Sequence, residues 1–315
     1  MINNQNNRRV ASVTRLRKKR QLRKRYRRIQ LILGCVLTIG IIVMAIIVLT
    51  RITADYRHKA VENAIRQTKE ETISQGTEME FRMPTAGIAT VFQEILDDYT
   101  QYEGDNGTKI VMLPEYETLY EQNSDIIGWL RIEDTVIDYP VMQTMEDEDY
   151  YLSYDFNKKA NDNGCLIMDT DSVVGVGTAD NQYEGGVKPS TNLIIHGHTM
   201  KSGMMFGGLR KYADENYGRN HSVISFDSLY EKREYELIAI FYSQVYLKKD
   251  NVFKYYRFFQ ADTQEEFDNW YENIKSMSLY DTGISAEFGD EFITLSCCSY
   301  HTEDGRFVVV GKRIK

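Results

Sequence analysis

Cysteine is scarce in this sequence: Cys35, Cys165, Cys297 and Cys298 are the only four among 315 residues. Four thiols, one of them inside a long apolar run, do not make a disulfide framework. There is no C-x-x-C pair and no closely spaced His/Cys cluster, so no metal site is expected, and nothing in the pattern calls for a cofactor. Acidic residues are missing from the first fifty positions, which hold twelve of the 38 Lys and Arg. The remaining 26 bases face all 46 acids, so the chain beyond residue 50 carries about −20 where the whole carries −8. Internal repeats are lacking too, which argues against a repeat array.

The basic end gives way to a run without charge. Leu31 to Thr50 (LILGCVLTIGIIVMAIIVLT) is twenty residues long and is closed by Arg51, and about twenty apolar residues cross a bilayer core as a helix. A signal peptide has a shorter apolar core, about 7–15 residues, and a small-residue cleavage site; no such site stands near Thr50. Lys and Arg beside a span stay on the cytoplasmic side. The expected topology is therefore single-pass, with residues 1–30 as a cytoplasmic tail, 31–50 as the anchor and an acidic extracellular part beyond. Set against an apolar twenty-mer, the basic run is explained by topology and anionic lipid headgroups, not by nucleic acid.

Residues 51–107 read as a stalk and a helical segment. DYRHKAVENAIRQTKEET favours helix, and after Pro84 the residues Ile88, Val91 and Ile95 recur at helical spacing, which predicts a helix packed on the following domain. That domain is expected over 108–315. Pro114 opens a short helix, PEYETLYEQN, with Gly128 marking where it ends. From there the period changes to short runs rich in Val, Ile and Tyr: GWLRI, TVIDYPVMQ, GCLIMD, TNLIIHG, SVISF, REYELIAIFYSQVY, EFITLSCCS and RFVVVGKRI. Strands at this spacing predict a mostly β class, a barrel or a sandwich. GMMFGGLRKYADENY and TQEEFDNWYENIKSMS interrupt them as peripheral helices. In the second, Thr263 caps the start while Phe267, Tyr271 and Ile274 line one face. The stretch 171–190 is rich in Gly, Asp and Ser and reads as a long surface loop.

The tail ITLSCCSYHTEDGRFVVVGKRI carries the chemistry. A period-two strand puts Thr294, Ser296 and Cys298 on one face and Leu295 with Cys297 on the other. Cys297 therefore reads as a buried thiol, and Cys298 stands at the strand end beside a polar turn. Arg306 opens the next strand, so a hairpin brings its guanidinium towards Cys298, where it favours a thiolate or steadies an oxyanion. Nucleophilic cysteine chemistry also needs a proton carrier. Of five histidines, His58 lies in the stalk, His221 precedes a strand and His301 sits solvated in the hairpin turn. Gly197 breaks a strand so that His198 falls in the loop beyond it, positioned like a site residue. His196 reads as filling the barrel edge, Asp169 as ending a strand and Asp304 as serving the hairpin turn.

The tail TLSCCSYHTEDGRFVVVGKRI resembles the end of class B sortases, whose TLSTC motif is followed after a short turn by an arginine opening the last strand. NSDIIGWLRIEDTVIDYPVMQ, DYYLSYDF, IIHGHTMKSGMMFGGLRKY and SLYDTG resemble segments of the same family, so the likeness covers roughly residues 115 to 315. It implies an eight-stranded sortase-type β-barrel with peripheral helices, on a membrane-anchored cysteine transpeptidase of Gram-positive bacteria. By the same likeness Cys298 is the nucleophile that attacks the Thr carbonyl of a sorting signal, His198 the acid and base, and Arg306 the stabiliser of the oxyanion. The partners it implies are surface proteins with an LPXTG-like or NPQTN-like signal and a peptidoglycan cross-bridge amine. A pilin lysine as the amine, or a silent peptide-binding module, are the alternatives. Ser296 is expected to line the substrate groove and Leu152 to supply an apolar wall. The departure is Cys297, where the family usually has threonine.

Overall fold

A computed structural model describes residues 2–75 and 110–315. The chain divides into two compact units, Met1–Tyr56 and Arg57–Lys315. The described residues of the first belong to α1 (Ile2–Gln75), whose remainder from Arg57 on belongs to the second, and Leu31 to Thr50 is exposed along its length. This is the one helix among the described residues long and apolar enough to cross a membrane, by length and composition.

In the second unit, eight strands close a barrel in the order β1-β2-β3-β4-β7-β8-β6-β5, with β5 returning to β1. They are β1 (Ile126–Arg131), β2 (Asp138–Met142), β3 (Leu166–Met168), β4 (Asn192–Gly197), β5 (Val223–Ser228), β6 (Lys232–Gln244), β7 (Phe292–Cys298) and β8 (Gly305–Arg313). Six of the eight pairings are antiparallel. The two parallel ones, β2 with β3 and β4 with β7, need crossovers, and the β4–β7 crossover contains two further strands. Closure leaves no unpaired sheet edge to recruit another chain. The barrel interior is filled by alternate residues of each strand, among them Leu193, Ile195, Ile293, Leu295, Phe307 and Val309.

Helices cover the outside. In α4 (Gln264–Met277, which among the described residues follows α2, Pro114–Gln122, and α3, Glu215–Asn220) Thr263 and Glu266 form a reciprocal capping box that satisfies two of the orphan amides of the first turn. Phe267, Trp270 and Ile274, at helical spacing, are buried against Phe292, Val308 and Val310 on the outer face of β7 and β8. Tyr271, expected with them, is only partly buried, and Trp270 takes the central place. Burying each such side chain contributes about 1.5–3 kcal/mol, so α4 braces the strand pair that ends the chain.

Three further expectations are revised by the packing. Helix α2 stops at Gln122, and Gly128 lies inside β1 instead, where a Cβ would meet the Asp227 carbonyl and the Phe226 ring. The stretch 171–190 is no free surface loop: Val174 and Tyr183 are buried, Arg233 donates to the Val174 carbonyl at 2.9 Å, and the Ala179 amide donates to Glu231 at 2.7 Å. The segment from Arg57 to Gln75, expected as stalk, packs on the barrel. Arg66 pairs with Asp138 at 2.7 Å, Ile65 joins the cluster around Trp129 and Tyr116, and His58 is fully buried beside Asn161 at 3.3 Å. Its polar composition hid this, because ion pairs and hydrogen bonds stand beside the apolar contacts of Val61 and Ile65. The helix expected after Pro84 lies outside the described residues.

Candidate functional site

Strand β7 is the centre of the site because its two neighbours arrive from opposite directions. On one side the parallel ladder with β4 ends at Gly197 opposite Cys297. On the other, the antiparallel ladder with β8 sets Cys298 opposite Arg306. His198 follows Gly197 as Cys298 follows Cys297. The ends of β4 and β7 and the start of β8 therefore lie side by side, each roughly 4.8 Å from the next. This brings together residues 198, 298 and 306, the three that the sequence singled out.

The two thiols have opposite environments. Cys297 points into the barrel core and is 2% exposed, whereas Cys298 is exposed. Burial pushes the Cys297 thiol up to about 11, so at neutral pH it stays protonated and a poor nucleophile. Both are free, as is Cys165.

Gly197 is required by crowding rather than by an unusual turn: a Cβ there would meet Leu166 and Phe206 side chains. Beyond it the loop is fixed at both ends. The Phe206 amide donates to the His198 carbonyl at 3.0 Å, and the Thr199 hydroxyl donates to the Cys298 carbonyl at 2.6 Å. The His198 ring is held from a third element. Its Nε2 lies 2.9 Å from the Leu152 carbonyl, in the 3-10 turn Tyr150–Leu152. A carbonyl only accepts, so Nε2 carries a hydrogen, and Nδ1 is the ring nitrogen not engaged by that carbonyl.

Arg306 is half-buried and its Nη1 donates to the carbonyls of Asp304 at 3.3 Å and Gly305 at 3.1 Å. Among the described residues no carboxylate stands within ion-pair distance of it. Its charge and remaining donors are thus uncommitted at the strand start. Asp304 occupies the hairpin turn with φ +50.

The two further sequence candidates take different places. Leu152 is half-buried and contributes its backbone carbonyl to His198, besides packing against the cluster that holds Tyr151 and Cys165. Ser296 shares the face of Cys298 but is 1% exposed, and its hydroxyl is engaged by Tyr255 at 2.7 Å. It lies beneath the surface instead of in an open groove wall, because the connection between β6 and β7 folds back over it. His196, expected to fill the barrel edge, and Asp169, expected to end a strand, pair at 3.1 Å. His301 is exposed in the turn, with Nδ1 3.0 Å from the Ser299 hydroxyl. His221 ends α3 and lies stacked on Tyr217. Thr199 and Tyr255 were not anticipated; Thr199 stands in the GHTM run, but Tyr255 is 41 residues from the serine it holds and leaves no local signal. Among the described residues no group of three or more His, Cys, Asp or Glu is placed to hold a metal ion.

A closed eight-stranded barrel with a free thiol at the end of a strand, between an imidazole-bearing loop and an arginine-bearing strand, has clear counterparts. No protein-family model matches the chain. Sortase B of Listeria monocytogenes is 30% identical over 228 residues, 70% of this chain and 85% of that protein. The solved complex of Staphylococcus aureus sortase B with substrate superposes with a TM-score of 0.59 at 22% identity, covering 84% of this chain and 99% of that one. B. anthracis sortase B in complex with AAEK2 gives 0.57 at 25% identity, over 82% and 97%. The architecture is that of the sortase transpeptidases. The chain belongs to the sortase B family.

The Thr199 hydroxyl ties the loop after β4 to β7 through the Cys298 carbonyl. Thr199→Val is expected to lower kcat for peptide cleavage by about tenfold, the equivalent of one lost hydrogen bond of about 1–1.5 kcal/mol. Thr199→Ser, which keeps the donor, should restore most of it. Steady-state kinetics beside a thermal melt of each variant provide the check.

Proposed function

We propose that this chain is a membrane-anchored cysteine transpeptidase that cleaves a C-terminal sorting signal after Thr and passes the protein to a peptidoglycan cross-bridge amine. The observation that carries the reading is the register of β7, which sets residue 298 opposite Arg306 and beside the loop of His198. The Cys298 sulfur attacks the Thr carbonyl carbon of an LPXTG-like or NPQTN-like signal as a thiolate, and the carbonyl oxygen takes the negative charge. Arg306, with a planar fork of donors, stabilises that oxyanion. The intermediate collapses by breaking the C–N bond, and protonated His198 gives its Nδ1 proton to the departing amine. A thioester on Cys298 remains. The incoming amine then attacks the same carbon and loses a proton to the now neutral His198, while sulfur leaves as thiolate. One difficult amide exchange becomes two easier steps. Water in place of the amine gives hydrolysis.

The apolar helix and the charge asymmetry about it support an anchor at 31–50, with the basic end cytoplasmic and the barrel, within a catalytic domain taken as 108–315, outside. A sorting peptide carrying an electrophile at the Thr carbonyl tests the core of this reading. Mass spectrometry is expected to find one adduct, on the peptide fragment containing Cys298. An adduct elsewhere, or none, overturns it.

A further inference from the structure

The α1 segment 57–75 buries two ionisable side chains that the proposed chemistry does not use. Glu62 is 4% exposed and His58 is fully buried, and a spacing of four residues puts them on one side of the helix. Among the described residues neither carboxyl oxygen of Glu62 has a hydrogen-bond partner, and the His58 Nε2 stands 3.9 Å from one of them. Arg66, one turn further on, is engaged by Asp138 at 2.7 Å. Asp138 and Asp155 add like charge from the barrel side, where the Cys165 thiol and the Tyr139 hydroxyl are the other titratable groups that sense Glu62. A buried carboxylate without hydrogen bonds is costly, and such a group keeps its proton instead. Burial pushes the Glu62 carboxyl up to about 8, against the opposing pull of Arg66.

The other side of this contact is the connection between β2 and β3. Val61 and Ile65 share one apolar cluster with Tyr151, Leu152 and Cys165, and the His58 Nδ1 lies 3.3 Å from the Asn161 side-chain nitrogen. The Asn161 amide donates to the Ser153 carbonyl at 2.9 Å, and the Cys165 amide to the Tyr151 carbonyl at 2.8 Å. Between them, a Cβ on Gly164 would meet the Tyr151 and Leu152 carbonyls. Residues 161–165 therefore strap the 3-10 turn Tyr150–Leu152, whose last carbonyl holds the His198 ring at 2.9 Å.

We infer that Glu62 is a proton-dependent latch: as a neutral acid it lets the α1 segment seat on residues 151–165, and its ionisation unseats that segment and loosens the strap behind His198. Glu62 touches no reacting atom. It acts through the backbone on which the His198 ring leans, so it is a positioning residue, and the latch stands on packing whether or not the transfer chemistry holds. Unseated, the carboxyl titrates at its ordinary 4.5, and seated near 8. Below the lower value it is protonated in both states and the seat is at its firmest. Between the two values unseating releases a proton to solvent, so it is favoured by about tenfold more for each pH unit, and above about pH 8 the dependence ends.

The experiment follows amide hydrogen exchange in the full-length protein in detergent micelles, with each rate divided by its intrinsic rate at that pH. Protection over residues 57–73 is expected to fall by about tenfold per pH unit between roughly pH 5.5 and 7.5, with the amides of Asn161 and Cys165 following at the same slope. Glu62→Gln, which cannot ionise, should flatten both slopes. Glu62→Leu, of similar bulk, should do the same and serves if the amide variant folds poorly. Infrared spectra of the unmodified protein at about pH 6 should show a protonated carboxyl band that either variant lacks. A flat profile in the unmodified protein, an equal slope in both variants, or no such band because the proton rests on His58, overturns the latch. A slope over 57–73 that Asn161 and Cys165 do not share overturns its link to His198.

Discussion

Cys298→Ala is expected to abolish cleavage of a sorting peptide, while Cys297→Ala keeps most of it. Adjacent residues of β7 face opposite sides of the sheet, so the two substitutions remove thiols from unrelated environments. Cys298 is exposed at the strand end, opposite Arg306. Cys297 faces Leu295 and Phe307 in the core, where its thiol, pushed up to about 11, holds thiolate at roughly one part in ten thousand at pH 7. Truncating it leaves a small void and costs stability on the order of 1 kcal/mol, not activity. Peptide cleavage followed by chromatography, with the melting temperature of each variant, reads both effects. Full activity in Cys298→Ala would end the assignment of the nucleophile.

The second large effect is expected at the two residues flanking the sulfur. His198→Ala and Arg306→Ala should each lower turnover by about 10²- to 10⁴-fold, the range for losing a positioned proton carrier or an oxyanion donor. Both side chains are only half-buried and neither belongs to the apolar core, so the melting temperature should hold. Arg306→Lys separates charge from shape. A lysine keeps the charge but not the planar fork, and it is expected to rescue poorly. Complete rescue by lysine would reduce the arginine to a point charge.

The eight strands were legible because each is a short run of Val, Ile and Tyr closed by turn residues, and because β7 alternates cleanly enough to send Cys297 inward and Cys298 outward. Thr263 announced the start of α4 for an equally local reason. The features that depend on distant partners were not legible. Nothing near β4 says that it pairs in parallel with a strand a hundred residues on, or that Leu152, 46 residues before His198, holds its ring. Ser296 looked like a groove residue because alternation reports which face a side chain shares, not what later folds over that face. His58 and Arg66 looked like stalk because charged residues read as solvated, and only the fold supplies Asn161 and Asp138 as their counterparts.

The mixed pairing of β7 makes the proposed site depend on the last strands of the chain. The histidine loop, the sulfur and the guanidinium come from three segments, and the last two lie within the final eighteen residues, on the strands that fill the gap between β4 and β6. Such long-range pairing is slow to form, because loop entropy is lost before the contacts repay it. A chain lacking its last strand would have an unclosed sheet and no Arg306, so under the proposed mechanism a clipped molecule is expected to be inactive rather than weakened.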